Sequence, residues 1–171
     1  MASVERPFLF LDVDGPLIPF GSSTDHPQAA VTEVPAPVDR GNPLLTRLDP
    51  AMGPRLMALR CRLVWATTWM GAANDLVAPR VGLPSLPVLD GPDSDIDEGP
   101  RGLHWKTRRV VEWADGRPFI WVDDEITAID RFWVDATRTG PSLLHRVDPA
   151  KGLTDADFSA LADWISGTAA G

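Results

Sequence analysis

The chain of 171 residues has one cysteine, Cys61, and so cannot close an internal disulfide. That absence points to a reducing compartment, and cytoplasmic residence is the expectation. No apolar run is long enough to span a bilayer, so no membrane partner is expected. The first residues lack the basic stretch and long apolar segment of a secretory signal. Positive charge is also short. The formal net charge is −8, which disfavours a protein that grips a long nucleic acid through its phosphates. Lysine is nearly missing: only Lys106 and Lys151 are present, and the other basic residues are arginines. The length suits one domain, 1–171, with a single buried core.

Short apolar runs alternate with segments of helical spacing. Phe8 to Val13 reads as a buried strand, as do Arg62 to Ala66, Pro118 to Val122 and Ser142 to His145. An extended piece, Pro84 to Leu89, is expected as a further strand. Asp49-Pro50 reads as the start of one helix, and Thr154 caps the last. Helices are also expected over Gly71 to Ala78, over Leu103 to Ala114 with Gly116 as its stop, and after Glu125. Strand and helix in alternation predict an α/β fold, with a mostly parallel sheet and helices on both faces. Between Gly15 and about Asn42 the chain turns rich in Pro, Gly, Ser and Thr. This stretch is read as a flap, with a hairpin between Leu17–Phe20 and Ala30–Val34.

Three of the strands end in polar residues. The first ends in Asp12-x-Asp14-Gly15, the second in Thr67-Thr68 and the third in Asp123-Asp124. Parallel strands put these ends on one edge of the sheet, where open α/β folds bind ligands. Lys106 stands at a helix start that can face the same edge. Carboxylates offer the hard oxygen ligands that suit Mg²⁺. A carboxylate can also attack phosphorus, and a second acid can protonate the leaving oxygen. Each feature alone has an ordinary reading as a turn, a strand end or a helix cap. Their joint occurrence, in order, singles out the set.

This set resembles the haloacid dehalogenase (HAD) superfamily. Val64-Trp-Ala-Thr-Thr-Trp69 with Ala73-Asn74, Trp121-Val-Asp-Asp-Glu125 and Gly152-Leu-Thr154 further resemble a small HAD group linked to RNA repair. The resemblance implies a three-layer Rossmann-like fold with a small flap, about 15–48, in place of a full cap domain. It implies that Asp12 is the nucleophile of a phosphatase and a Mg²⁺ ligand. Asp14 would be general acid/base, with its carbonyl on the metal. Thr67 and Lys106 would hold the phosphoryl group, and Asp123 would ligate the metal, with Asp124 either a second ligand through water or a partner for Lys106. The implied substrate is a phosphorylated small molecule or a nucleic acid end, with an open site that a partner protein can lid.

Thr68, Trp69, Arg101 and His26 are further candidates for substrate contact, Trp69 by stacking on a base or sugar. A phosphoaspartate receiver domain is an alternative, but receivers carry the acceptor on a middle strand, and Thr67 stands there instead. A non-catalytic HAD-fold binding protein is the other. Asp93, Asp95 and Asp97 alternate without the glycine and glutamate of a calcium loop, and His104 and His145 lack zinc-type partners at ligand spacing.

Overall fold

The computed structural model describes residues 5–20, 42–91 and 101–169. Four parallel strands form its sheet: β1 (Phe8–Leu11), β2 (Arg62–Trp65), β3 (Phe119–Asp123) and β4 (Ser142–Arg146). The order is β2-β1-β3-β4. Every residue of β1 and β3 is buried, as expected of strands covered on both faces. Their side chains alternate between two cores. Leu9, Leu11, Leu63, Trp65, Ile120 and Val122 face one. Phe8, Phe10, Val64, Phe119, Trp121 and Leu144 face the other.

Among the described residues, five α-helices supply the outer layers. Leu56 of α1 (Met52–Ala58), Val81 of α2 (Ala78–Val81), and Phe158 and Leu161 of α5 (Asp155–Ala169) pack into the first core. Val110 and Ala114 of α3 (Trp105–Ala114) and Val134 of α4 (Ala128–Thr137) pack into the second. The architecture is therefore the three-layer α/β fold expected from the alternating pattern.

The helix ends follow local chemistry. The Asp49 carboxylate accepts from the Ala51 amide at 2.8 Å, just ahead of α1. Thr127 and Asp130 form a reciprocal capping box at the start of α4. Thr154 and Asp157 make the same exchange at α5. Asp115 and Gly116, both at positive φ, end α3.

One expectation is corrected, and one is refined. Residues 84–89 do not form a strand, and pair with the sheet only through a bridge between Trp65 and Val88. Pro84 and Pro87 have no N–H to extend the ladder. The helix expected over Gly71 to Ala78 is present, in π-helical form over Ala73–Val77, and runs into α2. There the Ala78 amide reaches back to the Ala73 carbonyl. Pro79 has no N–H for the carbonyl of Asp75, which disfavours a regular α-helical register at this point.

After β1 the chain turns sharply. The amides of Leu17 and Ile18 both donate to the Val13 carbonyl at 3.0 Å. Leu17 and Ile18 are buried in the first core. Ala30–Val34, the other half of the expected hairpin, lies outside the described residues.

Candidate active site

From β1 the chain runs to β2 on one side, then returns to β3 on the other. The crevice between β1 and β3 is thus the topological switch point, where open α/β sheets bind ligands at the strands' carboxyl ends. The register places Leu11 beside both Trp65 and Val122, so residues 12, 66–67 and 123 lie level at the carboxyl edge of the sheet.

Asp12 is 6% exposed. One of its oxygens accepts from the Val13 amide at 2.8 Å, and the other lies 3.0 Å from Lys106 Nζ. Lys106, near the start of α3, donates at 2.7 Å to Asp123 Oδ2. Trp121 Nε1 donates to that same oxygen at 3.2 Å, and the Glu125 amide donates to Oδ1 at 2.9 Å. The ammonium group is therefore buried between two buried carboxylates.

Carboxylate oxygens of Asp12, Asp123 and Asp124 lie within 4.8 Å of one another. Burial pushes the Asp12 carboxyl up to about 7, and the nearby Asp123 charge adds to the rise against the pull of Lys106. Asp124 is raised for the same first reason, burial, and then by Asp123. Burial alone would lower Lys106, but Asp12 and Asp123 more than offset it and hold the ammonium above its ordinary value. One lysine thus does not balance the three acids. A hard divalent cation fits this all-oxygen donor set and would relieve its excess negative charge. HAD proteins usually use Mg²⁺.

Gly15 permits this arrangement. Its φ is +90°, and a Cβ there would stand 2.6 Å from Asp124 Cγ. On the other side of the same turn, Gly152 (φ +71°) packs where a Cβ would meet the Pro16 carbonyl at 3.0 Å. The Leu153 amide donates to that carbonyl at 2.9 Å, and the Phe20 amide donates to the Pro149 carbonyl at 2.7 Å. The loop after β4 therefore braces the loop that carries Asp12 and Asp14.

Thr67 is fully buried just past β2, whereas Thr68 is exposed. Thr67 Oγ1 accepts from the Trp69 amide at 3.2 Å. Half-buried Asp14 accepts from Trp69 Nε1 at 3.0 Å. Arg101 is exposed three residues before His104, the cap of α3. His26 lies outside the described residues.

His104, Asp123 and Glu125 also bring potential metal-binding atoms together. His104 Nδ1, however, accepts from the Lys106 amide at 3.2 Å. In the neutral ring Nε2 then carries the proton and donates to Glu125, 3.0 Å away. The imidazole thus has no lone pair left for a metal and serves as a helix cap.

Sequence reasoning missed Asp130. Its Oδ1 accepts from the His104 amide at 2.8 Å and from Thr107 Oγ1 at 2.6 Å. Its Oδ2 accepts from the Thr127 amide at 2.8 Å and the Thr127 hydroxyl at 2.7 Å. One carboxylate thus ties the start of α4 to the start of α3, which carries Lys106. Burial opposes its ionisation, but the bonds from Thr107, His104 and Thr127 hold its pKa below the usual value. The Thr-x-x-Asp spacing marks a capping box, so its role at α4 was readable, but not its reach to α3. Arg146 was also missed; its Nε donates at 2.9 Å to the Asp124 carbonyl.

Comparison with curated proteins and with solved structures finds no match. Among the described residues no helix is long and apolar enough to cross a membrane. Residues 8–158 match the family described as the HAD domain in Swiss Army Knife RNA repair proteins, a match that supports a phosphatase-type function. With 8–158 matched and the acids, threonine and lysine gathered at the switch point, the chain belongs to the HAD superfamily, in its RNA-repair group.

Proposed function

We propose that this protein is a Mg²⁺-dependent phosphomonoester hydrolase that works through an aspartyl-phosphate on Asp12. The observation that carries the reading is the buried Lys106 held between Asp12 and Asp123, with Asp124 beside them. Asp12, Asp123 and Asp124, with the Asp14 carbonyl, would hold Mg²⁺. The ion would supply charge neutralisation for the phosphoryl oxygens.

The chain's own groups carry the rest. Lys106 and the Thr67 hydroxyl orient the phosphoryl group. Asp12 attacks phosphorus in line as the ester P–O bond breaks, and Asp14 gives its proton to the departing oxygen. Asp14 then takes a proton from water as that water attacks phosphorus, which frees Asp12 and releases inorganic phosphate. Thr67, with its oxygen already accepting from the Trp69 amide, keeps its hydroxyl hydrogen for a phosphoryl oxygen.

The proposed substrate is a phosphorylated nucleic acid end or a nucleotide. The RNA-repair description of the family supports the first. The net charge of −8 favours an end or a small molecule over a long duplex. Thr68, Trp69, Arg101 and His26 are proposed to contact it, and a partner protein is proposed to supply a lid. Cytoplasmic residence belongs to the same proposal.

The test is phosphate release from aryl phosphates, nucleotides and phosphorylated oligonucleotide ends, with and without Mg²⁺, for wild type and Asp12→Asn. The expected result is Mg²⁺-dependent release that Asp12→Asn abolishes. Equal release by both proteins, or none from any ester, would overturn the proposal.

A further inference from the structure

Trp69 is bonded at both ends to groups placed in the chemistry. Its main-chain N–H donates to Thr67 Oγ1 at 3.2 Å, and its indole N–H donates to Asp14 Oδ2 at 3.0 Å. The ring packs against the core that also holds Leu11, Val13 and Trp65. The residue sits in a tight turn, closed by the Met70 amide on the Thr67 carbonyl at 3.2 Å. Met70 itself is at φ +49°. An indole anchored this way has little freedom, and its N–H is only a donor. It therefore fixes one oxygen of Asp14 and leaves the other to exchange a proton.

Resting on the phosphatase reading, we propose that Trp69 is a positioning residue that holds Asp14 in register with Thr67 for proton transfer to the leaving group. The bond that benefits is the O–H formed on the ester oxygen as its P–O bond breaks. Asp14 supplies that proton and regains one from the attacking water. Trp69 acts through Asp14, so its contribution scales with how much the leaving group needs a proton. A residue that only stacks on substrate, or only fills space, would not show that dependence.

Trp69→Phe tests this. It keeps an aromatic ring and the main-chain bond to Thr67, and removes the indole N–H. The readout is kcat/KM on a simple alkyl phosphate and on p-nitrophenyl phosphate, whose leaving group needs little protonation. On the alkyl ester a fall on the order of tenfold or more is expected. On the aryl ester the fall should stay within about threefold, and Asp14→Asn should show the same contrast more strongly. A second measurement does not need turnover. In ¹⁵N-labelled protein, the indole cross-peak that Trp69→Phe removes should shift in Asp14→Asn.

An equal fall on both esters would overturn the positioning role. An unmoved cross-peak would overturn the contact itself. Wild-type protein that hydrolyses neither these esters nor any nucleotide or phosphorylated oligonucleotide end, with the cross-peak shift present, would overturn the phosphatase reading and the proton-transfer role with it.

Discussion

Replacing Asp130 with alanine should both destabilise the fold and slow the enzyme. Asp130 is fully buried and accepts four hydrogen bonds, from two main-chain amides and two hydroxyls. The Thr107 and Thr127 hydroxyls can rotate toward other acceptors, but the His104 and Thr127 amides cannot. Leaving each amide unsatisfied costs about 1–3 kcal/mol, so the expected loss is about 3 kcal/mol. Urea unfolding at pH 7 reads it as a lower midpoint at unchanged m-value. The pH dependence has a definite sign. The folded pKa of Asp130 lies below the ordinary carboxyl value of 3.8. Its stabilisation is therefore fully present above pH 3.8 and is lost as pH falls through the folded value. The gap between wild type and Asp130→Ala should be constant near neutrality and narrow below pH 3.8. Under conditions where the variant is fully folded, kcat should still be reduced, because α3 and Lys106 lose their tie to α4. A loss under about 1 kcal/mol, or a gap that widens on acidification, would refute the reasoning.

Asp12→Asn should behave in the opposite way. The carboxyl is raised from 3.8 to about 7, so its ionised form opposes folding, and this penalty grows as pH rises through that range. Without divalent cations, thermal unfolding should show Asp12→Asn gaining on wild type as pH rises from about 4 to about 7, and holding level above that. Gly15→Ala places a side chain at φ +90° and 2.6 Å from Asp124 Cγ. Titration calorimetry should show Mg²⁺ binding weakened by on the order of tenfold or more, about 1.4 kcal/mol, with the cooperative fold retained.

The strands that matter most were legible because burial on both faces leaves a local trace. Phe8 to Leu11 and Phe119 to Val122 are unbroken apolar runs, and the residues directly after them stand at the carboxyl edge of the sheet. The cap at Thr154 was equally local, set by a side chain that accepts from an amide three positions on. Residues 84–89 misled because their apolar pattern suits a strand, while their prolines cannot extend a ladder. Asp130 escaped notice because its second set of partners is 26 and 23 positions away.

The sequence by itself therefore determined the alternation of strands and helices and the order of Asp12, Thr67, Lys106 and Asp123. Both follow from apolar periodicity and from chemistry confined to a few neighbouring residues. Only the tertiary structure decided that Lys106 lies between two carboxylates, and that Trp69 holds an acid 55 positions earlier in the chain. It also decided that His104 caps a helix. Such contacts depend on how layers stack and loops return to the sheet edge, and a side chain carries no local mark of the distant partner that packing brings to it.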